Sequence, residues 1–390
     1  AHAILDILLM ERPDSVHVWC GLSRLLADEG RLPGAEATLR RALRLHPGHG
    51  PAWAALGGVL ARRGEGEAAL DAFHAAITLE PERPCHRVGL AETLLDLGRI
   101  DEAAEHIDRA LALDDEDASA HMARARLAML NGRLAEAWEE ALWRHRLPAA
   151  ARPRLPAAPW EGEDLDGARL LLHAESGLAD TLMMARFVPV LAECGAAITL
   201  VAQPELLPLL EILPGVVRVL PLGRPLPDDL QADYVASLDD LPLLLRVGLH
   251  SIPAQPYLTP PPRRIRRIRV PAGILVKVGI AWAGDRPEDS LAFPLALGLA
   301  TVPGTLLFSL QTGPRADEAR RLADPALITD LSPTIADLAD LAGRIAEMDM
   351  VVAADGPAAH LAAAMGKPVL LLLPHAAQAR WMRDRDDTPW

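Results

Sequence analysis

The chain reads GPAWAALGGVLARRGEGEAALDAFHAAITLEPER from residue 50 to 83 and PCHRVGLAETLLDLGRIDEAAEHIDRALALDDED from 84 to 117, two stretches of 34 residues with one pattern. The same interval separates four glycines: Gly30, Gly64, Gly98 and Gly132. An alanine stands five residues after each of them, at Ala35, Ala69, Ala103 and Ala137. Because a fixed period of this size is the signature of repeat architectures, we predict an array of helix pairs.

Each recurring residue type has a physical role in a pair of helices. Glycine closes the turn between the two helices, because it adopts positive φ at little cost. Alanine lets the paired helices approach closely, and proline ends the second helix, as at Pro47 and Pro81. An apolar residue such as Trp53 fills the groove between neighbouring pairs. In the fourth repeat, His121 stands at the position that Trp19 and Trp53 occupy in the first two.

The pattern resembles the tetratricopeptide repeat, which has W-x2-L, G, A, A and P at these offsets. The resemblance covers Val16–Arg146, and residues 1–15 look like the closing helix of an earlier repeat. We therefore assign residues 1–146 to an all-α tetratricopeptide solenoid. The resemblance implies that the concave face of the solenoid binds a protein or peptide. The alternative is that the solenoid only braces the domain that follows it.

Composition limits the classes of function. The net charge is −14, which argues against nucleic-acid binding, because neutralising phosphates needs an excess of Lys and Arg. No run reaches the roughly 18 apolar residues that span a bilayer, and no signal peptide is visible. The three cysteines, Cys20, Cys85 and Cys194, lack the spacing of metal ligands. We therefore expect a cytoplasmic protein with no membrane span and no metal site.

Beyond a Pro-rich linker at 147–165, apolar runs of strand length alternate with segments of helix length, as is typical of βαβ units. We predict a first Rossmann-like lobe at 166–257 and a second at 274–390, so that the chain is multidomain with an α/β second half. Two helices are expected in the first lobe, at Leu178–Cys194 and Glu205–Leu213. The expected strands are Ala168–Ala174, Ala196–Ala202, Val216–Leu220, Asp233–Ala236, Val276–Ala283, Thr305–Leu310, Met348–Ala353 and Pro368–Leu373.

The loop after the first of these strands, ESGLADT (175–181), contains a carboxylate at Asp180. Ligands of open α/β sheets bind beyond the carboxyl ends of the strands, so this side chain is a candidate general base. An equally good interpretation from the residues alone is that Asp180 only favours the helix N-terminus electrostatically.

Two further loops follow predicted strands in the second lobe. DGPAAH (355–360) places Gly356 and Pro357 at a helix start, where free backbone N–H groups suit a phosphate or diphosphate. WAGD (282–285) offers the small residue Gly284, beside which a ligand can approach the backbone.

Together these loops resemble the heptosyltransferase superfamily, in particular its branch with tetratricopeptide repeats and a C-terminal glycosyltransferase domain. The resemblance spans roughly 166–390 and implies two Rossmann-like domains of the GT-B type. The motifs that carry it are HAESGLADTLMMARFVP (173–189), VGIAWAG (278–284), FSLQTGP (308–314), MDMVVAADGPAAHLAAAMGKPVLLLLP (348–374) and RWMRDRDDTPW (380–390).

The resemblance implies a nucleotide-activated sugar as donor substrate, with no cofactor and no metal ion. Carried over by motif, Asp180 is the catalytic base. Pro374 and His375 fall where the nucleoside would lie. The residues implied for donor binding are Trp282, Gly284, Gln311, Asp355, Gly356 and His360.

Several positions depart from the family pattern. Ala179 replaces a glycine of the first loop. Glu288 and Asp289 stand where the family has a basic residue, and Arg286 is the nearest substitute. Gly356 replaces a residue that carries a hydroxyl group. Relatives also continue past the position of the last residue here, so we expect the second lobe to be truncated.

Two functions are compatible with these patterns. The first is a glycosyltransferase that moves a sugar from a nucleotide-sugar to an acceptor, a protein bound by the repeats. The alternative is a catalytically degenerate relative that acts as a protein-binding scaffold, which the departures favour. A cochaperone is disfavoured, because its peptide clamp needs Lys and Arg on the inner helices and residues 1–150 contain no Lys.

Overall fold

The computed structural model describes residues 10–12, 14–147, 157–268, 270, 276–284, 289–322, 324 and 326–390. The chain divides into two compact units. One contains Ala1–Ala151 together with Gln378–Asp384, and the other contains Arg152–Ala377 together with Arg385–Trp390. The first unit is a helical repeat region and the second is an α/β region with parallel sheets.

Helix pairs make up the first unit. The glycines of the 34-residue pattern lie in the turn within each pair at φ between 69° and 77°, a region that favours glycine. The alanines that follow them at five residues are fully buried, so the paired helices meet there without a gap. The helices are α1 (Val16–Asp28), α2 (Leu32–Leu45), α3 (Gly50–Arg62), α4 (Gly66–Leu79), α5 (Pro84–Asp96), α6 (Ile100–Leu113), α7 (Ala118–Leu130) and α8 (Leu134–Ala141).

One hydrogen bond recurs at the position where the repeat pattern has tryptophan. The side-chain N–H of Trp53, Arg87 and His121 each donates to the carbonyl oxygen six residues earlier, at 2.8, 3.4 and 2.8 Å. The other ring nitrogen of His121 contacts the Glu140 carboxylate at 2.5 Å, and its ring stacks on Trp143. The departure at His121 therefore keeps the N–H donor that recurs at this position.

A segment from the far end of the chain belongs to the helical unit. The 3₁₀ turn Ala379–Trp381 packs against α7, and the Arg383 N–H donates to the Leu130 carbonyl oxygen at 3.1 Å. Trp381 and Met382 are buried. The sequence placed all of 274–390 in the second lobe, and Gln378–Asp384 departs from that assignment because its apolar side chains pack on the last repeat.

The described residues of the second unit form two five-stranded parallel sheets, ordered β1-β5-β2-β3-β4 and β10-β9-β6-β7-β8. The strand order reverses between β2 and β5 in the first sheet and between β6 and β9 in the second. The strands are β1 (Ala158–Pro159), β2 (Arg169–His173), β3 (Ala197–Ala202), β4 (Val216–Pro221), β5 (Tyr234–Ser237), β6 (Val276–Ala281), β7 (Thr305–Ser309), β8 (Ile328–Asp330), β9 (Met350–Ala354) and β10 (Val369–Leu372).

Prolines divide the helices of the first lobe. The single helix expected at Leu178–Cys194 is two helices with a 3₁₀ turn at Ala185–Phe187, because Pro189 lacks the N–H that a continuous helix needs. Pro208 likewise shortens the helix expected at Glu205–Leu213. The helices are α9 (Leu178–Met184), α10 (Val188–Glu193), α11 (Leu207–Leu210), α12 (Leu241–Leu244), α13 (Phe293–Leu297), α14 (Asp317–Leu322), α15 (Leu338–Ala346) and α16 (Pro357–Ala364).

Two short strands were not predicted. Ala158–Pro159 lies in the stretch assigned to the linker, and Ile328–Asp330 lies between two helices. Strands this short show no alternation of apolar and polar residues, so pattern analysis does not detect them. In the part of the chain that the structure describes, no helix is long and apolar enough to cross a membrane.

Candidate functional site

A cavity of about 160 Å³ lies at the carboxyl ends of β6, β7 and β9. Because β6 and β9 flank the point where the strand order reverses, this is the crevice in which open α/β sheets bind ligands. Three of the residues implied for donor binding line it: Gly284, Gln311 and Gly356.

Gly284 lies where two loops touch. A Cβ atom added there would lie 2.5 Å from the carbonyl oxygen of Asp355 and 2.8 Å from the Cβ of Asp289. The Gly284 N–H donates to Ser290 Oγ at 3.2 Å. The close approach of backbone to backbone, and not the torsion angle, is what requires glycine at this position.

The side chain of Gln311 is fixed at both ends of its amide. Its Oε1 accepts a hydrogen bond from the Ala283 N–H at 2.8 Å, and its Nε2 donates to the Thr312 carbonyl oxygen at 3.0 Å. This amide ties the loop after β6 to the end of β7 and shapes the wall of the cavity.

The first turn of α16 forms another wall. Gly356, Pro357 and Ala358 all line the cavity, and Pro357 occupies the first helical position, where its missing N–H is no loss. Helix N-termini carry unpaired N–H groups and a partial positive charge, so this wall favours an anionic ligand.

Asp355 and His360 do not face the cavity. Their side chains are 1% and 5% exposed, and His360 Nε2 lies 3.0 Å from Asp355 Oδ1. The resemblance implied direct contact with the donor, whereas the structure buries the two side chains as a pair beneath the first turn of α16. The pair is therefore placed to support this turn.

Trp282 was expected to line the donor cleft, and the structure corrects this expectation. Its side chain is fully buried and packs against Phe293, with ring centroids 4.5 Å apart. Its Nε1–H donates to Glu318 Oε2 at 2.9 Å. Hydrogen bonds from Arg315 and, to a smaller extent, from Trp282 lower the pKa of Glu318, so the tryptophan has an ionised acceptor inside the lobe.

The acidic stretch that replaced the basic residue of the family is only partly described. Arg286 and Glu288 lie outside the described residues. Asp289 is buried beside Gly284 and packs within the loop. Pro374 and His375 follow β10 and are not among the residues that line the cavity.

In the first lobe, Asp180 lies in the first turn of α9, directly after β2. Three residues that the sequence did not single out hold the loop before it. Ser176 Oγ donates to Asp239 Oδ2 at 2.6 Å, and Gln203 Nε2 donates to the Ser176 carbonyl oxygen at 2.7 Å and to Thr181 Oγ1 at 3.0 Å. The Gln203 amide is thus bonded to Ser176 and Thr181, which lie before and after Asp180 in the sequence.

A weak signal for these residues was present in the sequence. Ser176, Gln203 and Asp239 follow β2, β3 and β5 by no more than a few residues. Only the strand order shows that β2 has β3 on one side and β5 on the other, so that the three loops meet.

The helices that begin at the two candidate loops are in contact. Helix α9, which carries Asp180, packs against α16, which begins at the cavity. Among the described residues, no group of three or more His, Cys, Asp or Glu side chains is arranged to hold a metal ion.

Family models of the tetratricopeptide repeat match residues 1–84 and residues 60–127. The helix pairs are tetratricopeptide repeats. The curated Protein FlbA of Caulobacter vibrioides is 27% identical over 290 residues, a match that covers 66% of this chain and 48% of FlbA. The chain thus spans about half the length of that relative.

Matches to solved structures have low identities and low TM-scores. MamA is 21% identical with a TM-score of 0.31, over 36% of this chain and 81% of MamA. The O-GlcNAc transferase of Thermobaculum terrenum is 15% identical with a TM-score of 0.38, over 93% of this chain and 83% of the transferase. Similarity at this level does not indicate a shared activity or substrate.

Proposed function

We propose that this chain is a glycosyltransferase of the heptosyltransferase type, with a GT-B arrangement of its two lobes, that moves a sugar from a nucleotide-sugar to an acceptor. The observation that carries the proposal is the cavity at the carboxyl ends of β6, β7 and β9. It lies at the reversal of strand order, and one of its walls is a helix N-terminus suited to an anion.

The proposed reaction is a direct displacement. Asp180 takes the proton of an acceptor hydroxyl, the resulting oxygen attacks the anomeric carbon, and the bond from that carbon to the diphosphate oxygen breaks. The nucleoside diphosphate leaves with the bonding electron pair. The first turn of α16 stabilises the charge that develops on the leaving group, in a transfer that the family resemblance implies is metal-independent.

The acceptor in this proposal is a protein bound by the repeats. A groove of about 580 Å³ lies between α1 and α3, and small residues such as Gly58 line it. Arg24 and Arg62 line this groove, and Arg62 uses one N–H for the Ala27 carbonyl oxygen at 2.7 Å. The other guanidinium N–H groups are the donors that the proposal assigns to a bound chain. The free cysteines are compatible with a reaction in the cytoplasm.

One observation favours the scaffold alternative. The cavity of about 160 Å³ is smaller than the roughly 300–1,000 Å³ of typical small-molecule sites. It has the size of a phosphate-bearing fragment and not of a complete nucleotide-sugar. In the scaffold alternative, the lobes keep this pocket and have lost the transfer step.

The test is donor turnover by the full chain with a panel of nucleotide-sugars, measured as sugar release and as a mass increase of co-expressed partner proteins. We expect Asp180→Asn to reduce transfer by about 10²–10⁴-fold, the usual contribution of a general base, without loss of donor binding. Asp228→Asn is the matched control, because Asp228 is an exposed aspartate of the same lobe. Turnover that survives Asp180→Asn contradicts the role of the base, and tight nucleotide binding without any turnover supports the scaffold.

A further inference from the structure

Tyr257, in the chain segment between the two sheets, is bonded to both helices of the candidate site. Its hydroxyl donates to the Leu182 carbonyl oxygen in α9 at 2.8 Å. Its backbone N–H donates to the carbonyl oxygen of Ala364, the last residue of α16, at 2.9 Å, and the Leu258 N–H donates to the same oxygen at 3.1 Å. One residue thus joins the helix of the candidate base to the helix of the donor cavity.

Arg186 holds Tyr257 from the side of the first lobe. It is 4% exposed and donates to the carbonyl oxygens of Met183, Pro253 and Trp390, at 2.9, 3.1 and 2.7 Å. The rings of Tyr257 and Trp390 lie 5.4 and 5.3 Å from its guanidinium carbon, within the range of cation–π contacts. The buried guanidinium of Arg186 is therefore bonded to the end of α9, to the connecting segment and to Trp390.

Burial and close packing restrict the side chain of Tyr257 and the chain segment that carries it. Desolvation raises the pKa of Tyr257 and lowers the pKa of Arg186, so the tyrosine is a neutral hydroxyl donor at physiological pH. A Cβ atom added at Gly366, which follows α16, would lie 2.6 Å from Pro256 Cγ. The connecting segment is thus pressed against the second lobe directly before Tyr257.

We propose that Tyr257 and Arg186 are positioning residues that fix α9 relative to α16, and with them Asp180 relative to the first turn of α16. The inference rests on the proposed function, in which these two helices carry the base and the wall of the donor site. Neither side chain is required to touch the substrate. Their contribution is geometric, and a misplacement of about 1 Å between reacting groups can lower a rate by about 10²-fold.

The experiment compares Tyr257→Phe with the native chain. This change removes the hydroxyl that bonds to Leu182 and keeps the ring beside Arg186 and the backbone bonds to Ala364. The matched control is Tyr234→Phe, which removes the hydroxyl of the other tyrosine of the chain, in β5 of the first lobe.

The first measurement does not depend on activity. Spin labels at the exposed Cys194 of the first lobe and at Leu322→Cys, 64% exposed in the second, report the distance between lobes in a Cys20→Ser, Cys85→Ser background. We expect Tyr257→Phe to broaden or shift this distance distribution and Tyr234→Phe to leave it unchanged. An unchanged distribution in Tyr257→Phe overturns the proposal, whatever the catalytic result.

The second measurement separates positioning from general stability. We expect Tyr257→Phe to lower kcat by at least about tenfold while the KM and Kd for the nucleotide-sugar change by less than about twofold. A parallel loss of kcat, donor affinity and thermal stability contradicts a positioning role. If the native chain turns over no donor, the proposed function fails, and the distance measurement still decides whether the Tyr257 hydroxyl fixes the two helices.

Discussion

Gly284 shows at the scale of one residue how the donor cavity depends on backbone contact. The atom nearest to an added methyl group is the carbonyl oxygen of Asp355, which belongs to the backbone and cannot rotate away. A methyl group must therefore displace the loop after β6 or the start of α16. Either movement changes a wall of the cavity.

We expect Gly284→Ala to cost about 1–3 kcal/mol of stability, the usual cost of overpacking, and to weaken nucleoside diphosphate binding at least about tenfold. Thermal unfolding and titration calorimetry measure the two effects. Gly298→Ala is the control, because a Cβ atom there meets nothing within 4 Å. Unchanged nucleotide affinity in Gly284→Ala would place the ligand elsewhere.

The structure shows where it places the residues that the sequence proposed for donor binding. Gly284, Gln311 and Gly356 were identified from strand-end position and motif, and all three line the cavity. Trp282 also follows a strand and belongs to a family motif. Its large side chain is nevertheless buried in the core, where its Nε1–H donates to Glu318. Motif position indicates the loop to which a residue belongs but not the direction of its side chain.

At the scale of the element, the repeats show how a hydrogen bond is conserved while the residue changes. Trp53, Arg87 and His121 differ in size and charge. Each nevertheless has a side-chain N–H that reaches the carbonyl oxygen six residues earlier. His121 also bonds to Glu140, so both of its nitrogens have oxygen partners.

We expect His121→Phe to destabilise the repeat unit by about 1–3 kcal/mol, because it removes two hydrogen bonds and leaves the Glu140 carboxylate without this partner. His121→Trp should lose less, because the indole N–H restores the bond to the Asp115 carbonyl oxygen. Urea unfolding followed by the helical signal at 222 nm measures both. Equal losses in the two variants would show that the recurring bond contributes nothing.

An ion pair between Arg169 and Asp233 joins the amino ends of two neighbouring strands of the first sheet, β2 and β5. Arg169 donates through its side chain to both oxygens of Asp233, at 2.6 and 3.0 Å, and its backbone N–H donates to the same carboxylate at 2.8 Å. The side-chain hydrogen bond, followed by the backbone one, lowers the pKa of Asp233 to about 2.

Because this pKa is lower in the folded state, the stabilising contribution of Asp233 is present above its unfolded pKa, near 3.9, and is lost as the pH falls toward 2. We expect Asp233→Asn to be less stable than the native chain at pH 7 and the difference to shrink between about pH 4 and pH 2. Urea midpoints at several pH values measure it, with Asp228→Asn as the control. A difference that does not depend on pH would exclude the ion pair as its cause.

Elements differ in how far the sequence predicts them. Among the described residues, the repeat helices α1–α8 follow from a pattern that holds its register across several periods, and the long buried strands follow from apolar runs. The helices predicted around Pro189 and Pro208 are longer than those in the structure, because each proline interrupts a continuous helix. The contacts of Ser176 with Gln203 and Asp239 depend on which strands are neighbours, and that information is absent from a local pattern.

At the scale of the whole molecule, each compact unit has a core of its own. Ile107 is fully buried among the repeat helices, and Leu171 is fully buried in the first sheet of the α/β unit. Truncation of such side chains to alanine costs about 2–5 kcal/mol.

We expect Ile107→Ala and Leu171→Ala to lower the midpoints of two different transitions in calorimetric unfolding. The helical signal should report the first transition more strongly, because the first unit is almost entirely helical. A single transition that both variants shift by the same amount would show that the units unfold together.

The segment Gln378–Asp384 has a consequence for modular exchange of the repeats. A chimera that replaces residues 1–146 with the repeats of another protein would keep Trp381 and Met382 but remove α7, the helix on which this segment packs. Two large apolar side chains would then meet a surface that did not evolve with them. A functional chimera therefore requires that α7 and residues 378–384 be exchanged together. The repeats cannot be replaced as residues 1–146 alone.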